Sequence, residues 1–308
     1  MVNSVAEQIQ TRPVTAAPRA AWLPRPAWSW LAVVPFFAAV AAFMGYPALS
    51  IITRTFTDER GVPTLANIAA LNEELVINSY VFTLQLSIVT ALGGGVLGLL
   101  IAYAITVGGL PRWMRDAVST FSGVASNFAG VPLAFAFIAT MGNLGLINVL
   151  LRQISPDFSL RGFGFNLYSF TGLALAYIYF QIPLMVLLIA PALDGLRNEW
   201  REAAESMGAS ATYYWTRVAL PILLPSIIGA VALLFGNAFG AHATAFALTG
   251  GGSSVKVITI LIGAQLASDA LTNPGLGAAL AFGMIVIMVI TVAIYSYCRG
   301  IAERWMKR

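Results

Sequence analysis

Few side chains in this sequence are equipped for covalent or metal chemistry. Its one histidine, His242, cannot build a multi-histidine metal site, and its one cysteine, Cys298, has no partner for an internal disulfide. No pair of carboxylates falls inside an apolar run, so the acid and base of an intramembrane hydrolase are missing. Thr249-Gly-Gly-Gly252-Ser-Ser254 has the glycines of a phosphate loop without its lysine and reads as a flexible connector. What remains is a polar stretch from Asn198 to Pro221 and a few uncharged polar residues within apolar runs, which suit docking and solute contact rather than catalysis. The chain is expected to be no enzyme and to hold no metal.

The elements that must position these residues are membrane helices. Of 308 residues 58% are hydrophobic and 10% charged, with a mean hydropathy of +0.81, whereas soluble domains are roughly a quarter charged. Apolar runs at 28–52, 79–107, 118–141, 167–192, 221–241 and 275–298 each approach or exceed the ~20 residues that cross ~30 Å of hydrocarbon. They predict an all-α membrane protein with six transmembrane helices. The first run is longer than the ~7–15 residue core of a secretory signal and reads as a retained span. A shorter piece at 257–268 is expected as a partly inserted or interfacial helix. Residues 1–27, rich in Pro and Ala, read as a mobile tail, and 28–308 as a single transmembrane domain.

Lys and Arg fix the expected orientation. Twelve fall in the terminal segments and loops on the N-terminal side, against five on the other, Arg54, Arg60, Arg152, Arg161 and Lys256. Short positive loops stay in the cytoplasm, so both termini are expected there. The seventeen cations are scattered singly, and no basic patch for nucleic acid forms. The outer segments 54–78 and 142–166, the latter with an amphipathic piece from Leu144 to Arg152, are too small to be binding domains.

Between the fourth and fifth spans, about 197–220, lies the longest polar stretch on the cytoplasmic side. Asn198 can cap a helix in which Trp200, Ala203, Ala204 and Met207 form one apolar stripe, with Arg201, Glu202 and Glu205 opposite. Gly208 follows where helices stop with positive φ, and Ser210 can cap a second short helix. Read from periodicity alone, this is either a docking knob or an amphipathic connector on the membrane surface.

Glu202-Ala203-Ala204, three residues, Gly208, nine residues, then Val218-Ala219-Leu220-Pro221 resembles the EAA loop of binding-protein-dependent ABC importer permeases, with Val218 where that family usually has isoleucine. The resemblance implies a multi-pass protein of the bacterial plasma membrane whose hairpin enters a cleft of a separate ABC ATPase. Glu202 would meet a basic residue there, Ala203 and Ala204 would pack against the ATPase, Gly208 would turn the chain and Pro221 would open the fifth span. The implied partners are an ABC ATPase dimer that binds ATP and Mg, a second permease subunit, expected to be a homologous chain, and an extracytoplasmic solute-binding protein. Met207, where sugar-type permeases commonly have Asp, and Asn273-Pro-Gly-Leu-Gly277-Ala-Ala resemble the permeases for polyamines, ferric iron, phosphonates, thiamine and oxyanions. Spermidine or putrescine is the expected solute, and a sugar the alternative.

Candidates for lining the path are Gln85, Asn127, Gln181, Asn237 and His242. Side chains of these types more often hydrogen-bond between helices than touch a solute, and a lone histidine such as His242 is more often a satisfied interfacial group. Pro132 and Pro183 are expected to kink their spans, and Gly93-Gly94-Gly95 with Gly98 to allow close helix packing. An ion-coupled secondary transporter, the rival of a different class, keeps an acid or base within the membrane. None of the six runs holds one well inside.

Overall fold

The computed structural model describes residues 33–58, 60–251, 257–266 and 273–306, with side chains as far as Ile301. The expected tail over 1–27 and residues 252–256 of the glycine-rich connector lie outside the described residues. By internal contacts the chain divides into two units, 1–50 and 51–308. Most of the helical run α1, Val34–Thr55, belongs to the first and carries a π-helical turn at Ala41–Gly45. The second unit contains α2 (Glu74–Thr106), α3 (Arg112–Asn127), α4 (Val131–Met141), α5 (Leu146–Ile154) and α6 (Phe170–Asp194). Then come α7 (Asn198–Ser206), α8 (Ala211–Tyr214), α9 (Leu220–Gly240), α10 (Ala243–Thr249), α11 (Ile258–Leu266) and α12 (Pro274–Met306). The described residues contain no strand beyond an isolated bridge between Thr57 and Pro63.

Six helical runs are long and apolar enough to cross a membrane: Val34–Thr55, Glu74–Thr106, Val131–Ile154, Phe170–Asp194, Ala211–Gly240 and Pro274–Ile301. The six-span, all-α expectation therefore stands, but the third span differs. The apolar run 118–141 breaks between α3 and α4, because Gly130 adopts φ +77 and Pro132 has no amide with which to continue the ladder. Pro132 thus begins a helix instead of kinking one, whereas Pro183 does lie inside α6. The spanning run moves to Val131–Ile154, in which α4 and α5 flank a turn at 142–145.

The second unit is organised around α6, which packs along α2 and also meets α3 and α9. Apolar burial does not drive helices together in lipid, so close approach and interhelical hydrogen bonds must do so. Both are present. Gly94 faces the Gln181 Cβ with no room for a side chain, and a Cβ at Gly98 would lie 2.6 Å from the Ile182 carbonyl oxygen. Gln181, fully buried, donates from Nε2 to the Leu234 carbonyl of α9 at 2.7 Å. Ser79, Thr83 and Ser87, all buried, return their hydroxyl protons to their own helix at 2.7 Å, which lets a polar stripe face neighbours at little cost. Thr83 Oγ1 also accepts from the Ile258 amide at 2.9 Å and so caps α11, the shorter helix expected from the sequence.

Gly98→Leu is expected to lower the detergent melting temperature by the equivalent of about 1–3 kcal/mol of overpacking. Gly123→Ala, where a Cβ meets nothing within 4 Å, should leave it unchanged or slightly raised. Thermal unfolding followed by tryptophan fluorescence and size-exclusion chromatography checks both.

Candidate functional site

The hairpin of α7 and α8 is built by local rules. Arg197, in extended conformation, is the N-cap of α7, one residue before the expected Asn198, and it makes no side-chain cap. At the other end Ala209 N–H donates to the Ala204 carbonyl at 3.0 Å and Gly208 N–H to the Glu205 carbonyl at 2.9 Å. This is a Schellman termination with Gly208 at φ +81. A Cβ there would touch nothing, so the glycine is required by its backbone angle alone. Ser210 Oγ then accepts from Tyr213 N–H at 3.2 Å and caps α8 as expected.

The expected apolar stripe divides in the fold. Trp200 and Ala204, the latter 6% exposed, pack with Leu196, Ala209, Tyr214, Trp215, Val218 and Ala219 in the hairpin's own core. Ala203 and Met207 stay exposed, Met207 at 80%. Ala204 therefore braces the hairpin from within, and Ala203 is the alanine left exposed. Glu202 is also exposed and makes no hydrogen bond or ion pair among the described residues. Its neighbour Arg201 binds Glu205 one turn on at 2.8 Å, and that hydrogen bond holds the guanidinium above its ordinary pKa.

Pro221 lies in the first turn of α9, as expected, although helical backbone precedes it. The helix runs unbroken from Ala211 to Gly240, and a π-helical turn at Trp215–Ala219 precedes the proline. Leu220 N–H reaches back five residues to the Trp215 carbonyl, and the ladder shifts just before the residue that has no amide. Trp215 is held edge-on against Tyr103 of α2 at 4.9 Å between centroids. Nearby, Arg115 of α3 pairs with Asp194 at the end of α6, tying the start of the broken third segment to the hairpin's root. Both side chains are more than a third exposed, so the pair contributes well under 1 kcal/mol to stability. Sequence reasoning missed it; an Arg and an Asp bounding otherwise apolar runs were the available signal.

A second locus lies where two helices break side by side. The chain leaves helical geometry between α3 and α4 and again between α9 and α10. Gly130 N–H donates to Thr244 Oγ1 across the two breaks at 2.8 Å. Tyr177 Oη donates to the Ala241 carbonyl at 2.9 Å. Tyr177 is seven residues into α6, which puts the breaks about 10 Å in from that helix's start. A cavity of about 560 Å³ opens there, and its polar lining is Ser126, Asn237, His242, Thr244 and Thr291, with Phe180 and Met288 among the apolar walls.

Of the five residues expected along a path, Asn237 and His242 come together in this cavity. Asn237 makes no hydrogen bond among the described residues, and His242 stacks on Phe246 at 5.4 Å. The other three do not line it. Gln85 sits on an exposed face of α2. Asn127, also exposed, spends its amide on Gly123 of its own helix at 2.9 Å. Gln181 spends its amide N–H on the α6–α9 contact, and its Oε1 is buried without a hydrogen-bond partner among the described residues. Ser126 and Thr291 were not foreseen; both hydroxyls bond their own helices, and isolated hydroxyls in apolar runs give no sequence signal.

A family profile described as binding-protein-dependent transport system inner membrane component matches residues 111–299. Among curated proteins, the sulfate transport system permease protein CysT of Salmonella typhimurium (strain LT2) is 32% identical over 166 residues, which are 54% of this chain and 56% of that protein. Its Escherichia coli (strain K12) counterpart is 31% identical over the same shares. The match thus takes in little more than half the length of these relatives. A solved bacterial ABC transporter involved in the import of the acidic polysaccharide alginate shares the fold, with a TM-score of 0.65 over 90% of this chain and 96% of that one, at 19% identity. With the profile spanning most of the chain, including hairpin and cavity, this is a multi-pass membrane protein that belongs to the family of binding-protein-dependent transport system inner membrane components.

Proposed function

We propose that the chain is the permease subunit of an ATP-driven importer, forming the path for a small oxyanion of the sulfate type by alternating access. The observation that carries the importer reading is the hairpin. Glu202 and Ala203 stand exposed, Glu202 without a partner among the described residues, on a helix held in place by its own core, and the second arm continues without a break into a spanning helix. That arrangement suits a groove on an ABC ATPase with a basic residue opposite Glu202. The remaining partners of this reading are a second permease chain and an extracytoplasmic binding protein. ATP and Mg belong to the ATPase, and both termini face the cytoplasm.

For the solute, the relatives named as sulfate permeases favour an oxyanion over the polyamine expected from the loop's resemblance. Among the described residues no Asp or Glu lines the cavity to pair with a polycation. The likeness to an alginate transporter concerns fold alone and gives a sugar no added support.

Glu202→Arg is expected to abolish co-purification of the ATPase with the tagged permease, or weaken it at least tenfold, while the permease still folds. Retention at the unsubstituted level contradicts the docking role. Orientation is tested on a Cys298→Ser background carrying Ser206→Cys. A membrane-impermeant maleimide should label inside-out vesicles and spare right-side-out ones, and the reverse pattern inverts the topology. In a host lacking its own sulfate and spermidine uptake, the complete importer is expected to accumulate ³⁵S-sulfate and not labelled spermidine; spermidine uptake alone removes the oxyanion assignment.

A further inference from the structure

We infer that Trp215 is a positioning residue for the transport cycle, the strut through which a displaced hairpin bears on α2 by way of Tyr103; this rests on the importer reading above. The hairpin and the bundle next to it have separate apolar cores. Ala204, Tyr214 and Ala219 centre the first. The second joins α2, α6 and α9 through residues such as Ala102, Ile189 and Leu223. Among the described residues, Leu196 and Trp215 are the two hydrophobic side chains that pack against both. Leu196 lies in the connection between α6 and α7, outside either helix. Trp215 lies within the helical run that continues into α9, so of the two it is the one carried by a rod of backbone.

That rod is compliant where the load would enter. The π turn starts at Trp215 itself, and Pro221 and Pro225 supply no amide protons to the turns that follow. A push on the hairpin would be absorbed largely as bending of α9 unless a side chain carried it past this stretch. The Trp215 ring meets Tyr103 edge-on at 4.9 Å and 77°, close to the end of α2 at Thr106. Tyr214, buried in the hairpin core, holds the same indole from the other side, edge-on at 5.9 Å. The indole is therefore clamped between hairpin and α2. In turn α2 cannot shift alone, because Gly94 and Gly98 seat it directly on α6, and α6 reaches the second helix break through Tyr177 and the Ala241 carbonyl. One ring contact thus gives the hairpin a lever on the helix pair that supports the cavity. An edge-on aromatic pair present in one state and lost in another biases the equilibrium by roughly two- to tenfold.

The test is whether ATP still changes the cavity. In the complete importer, held in nanodiscs with its binding protein, Ala243→Cys on the Cys298→Ser background puts a thiol in the cavity lining. The rate at which a maleimide labels this chain is compared with and without MgATP and vanadate. With Trp215 and Tyr103 intact the rate is expected to change about fivefold or more, and in Trp215→Ala less than about twofold, while the ATPase stays bound and hydrolyses ATP. Tyr103→Leu should fail in the same way, whereas Trp215→Phe and Tyr103→Phe, which keep a ring at the contact, should respond as the unsubstituted chain does. If Trp215→Ala releases the ATPase by loosening the hairpin core, Tyr103→Leu, which lies outside that core, decides. A full response in Tyr103→Leu, or in a hydrolysing Trp215→Ala, overturns the strut alone. A Tyr103→Leu permease that loses hydrolysis together with the response makes the contact a structural one and also overturns the strut. No response in the chain with both aromatic residues overturns ATP-driven alternating access, and the strut with it.

Discussion

Backbone amides and carbonyls have no water to fall back on inside hydrocarbon, and each one left without a partner costs several kcal/mol. The architecture of the 51–308 unit follows from how it meets that constraint at its two breaks. Where α3 gives way to α4 and α9 to α10, the freed groups are satisfied across the gap: the Gly130 amide by Thr244, the Ala241 carbonyl by Tyr177. The first break leans on the second through Thr244, and the second leans on α6 through Tyr177. Their pairing requires α6 to bring Tyr177 alongside, and α6 can sit there because Gly94 and Gly98 let it approach α2 so closely.

The same helix that ends at one break begins at the hairpin. From Ala211 to Gly240 the backbone is helical for 30 residues, about 45 Å, so one continuous element joins the exposed Glu202 region to the cavity wall at Asn237. It is not uniformly stiff. The π turn at Trp215–Ala219, Pro221 and Pro225 together thin the hydrogen-bond ladder over its first half. Trp215, wedged against Tyr103, limits how that portion bends. A displacement at the hairpin would therefore reach the membrane through a braced hinge, with the stiffer half beyond Pro225 moving as a unit.

What the sequence made legible was local or averaged. Spanning segments emerge from hydropathy summed over twenty residues, and the hairpin from chemistry that acts within one turn: a serine cap and a glycine whose left-handed angle terminates α7. What it hid was decided by neighbours distant in the chain. The run 118–141 is uncharged throughout, so nothing in its period distinguishes a kinked span from two half-helices; Gly130 and Pro132 break it, and Thr244, more than a hundred residues later, accepts the freed amide. Ala203 and Ala204 are indistinguishable by type and spacing, yet Tyr214 and Ala219 cover one and leave the other exposed. Pro221 marks the start of α9, as prolines favour that position, but the π turn that joins it to α8 carries no mark in the sequence.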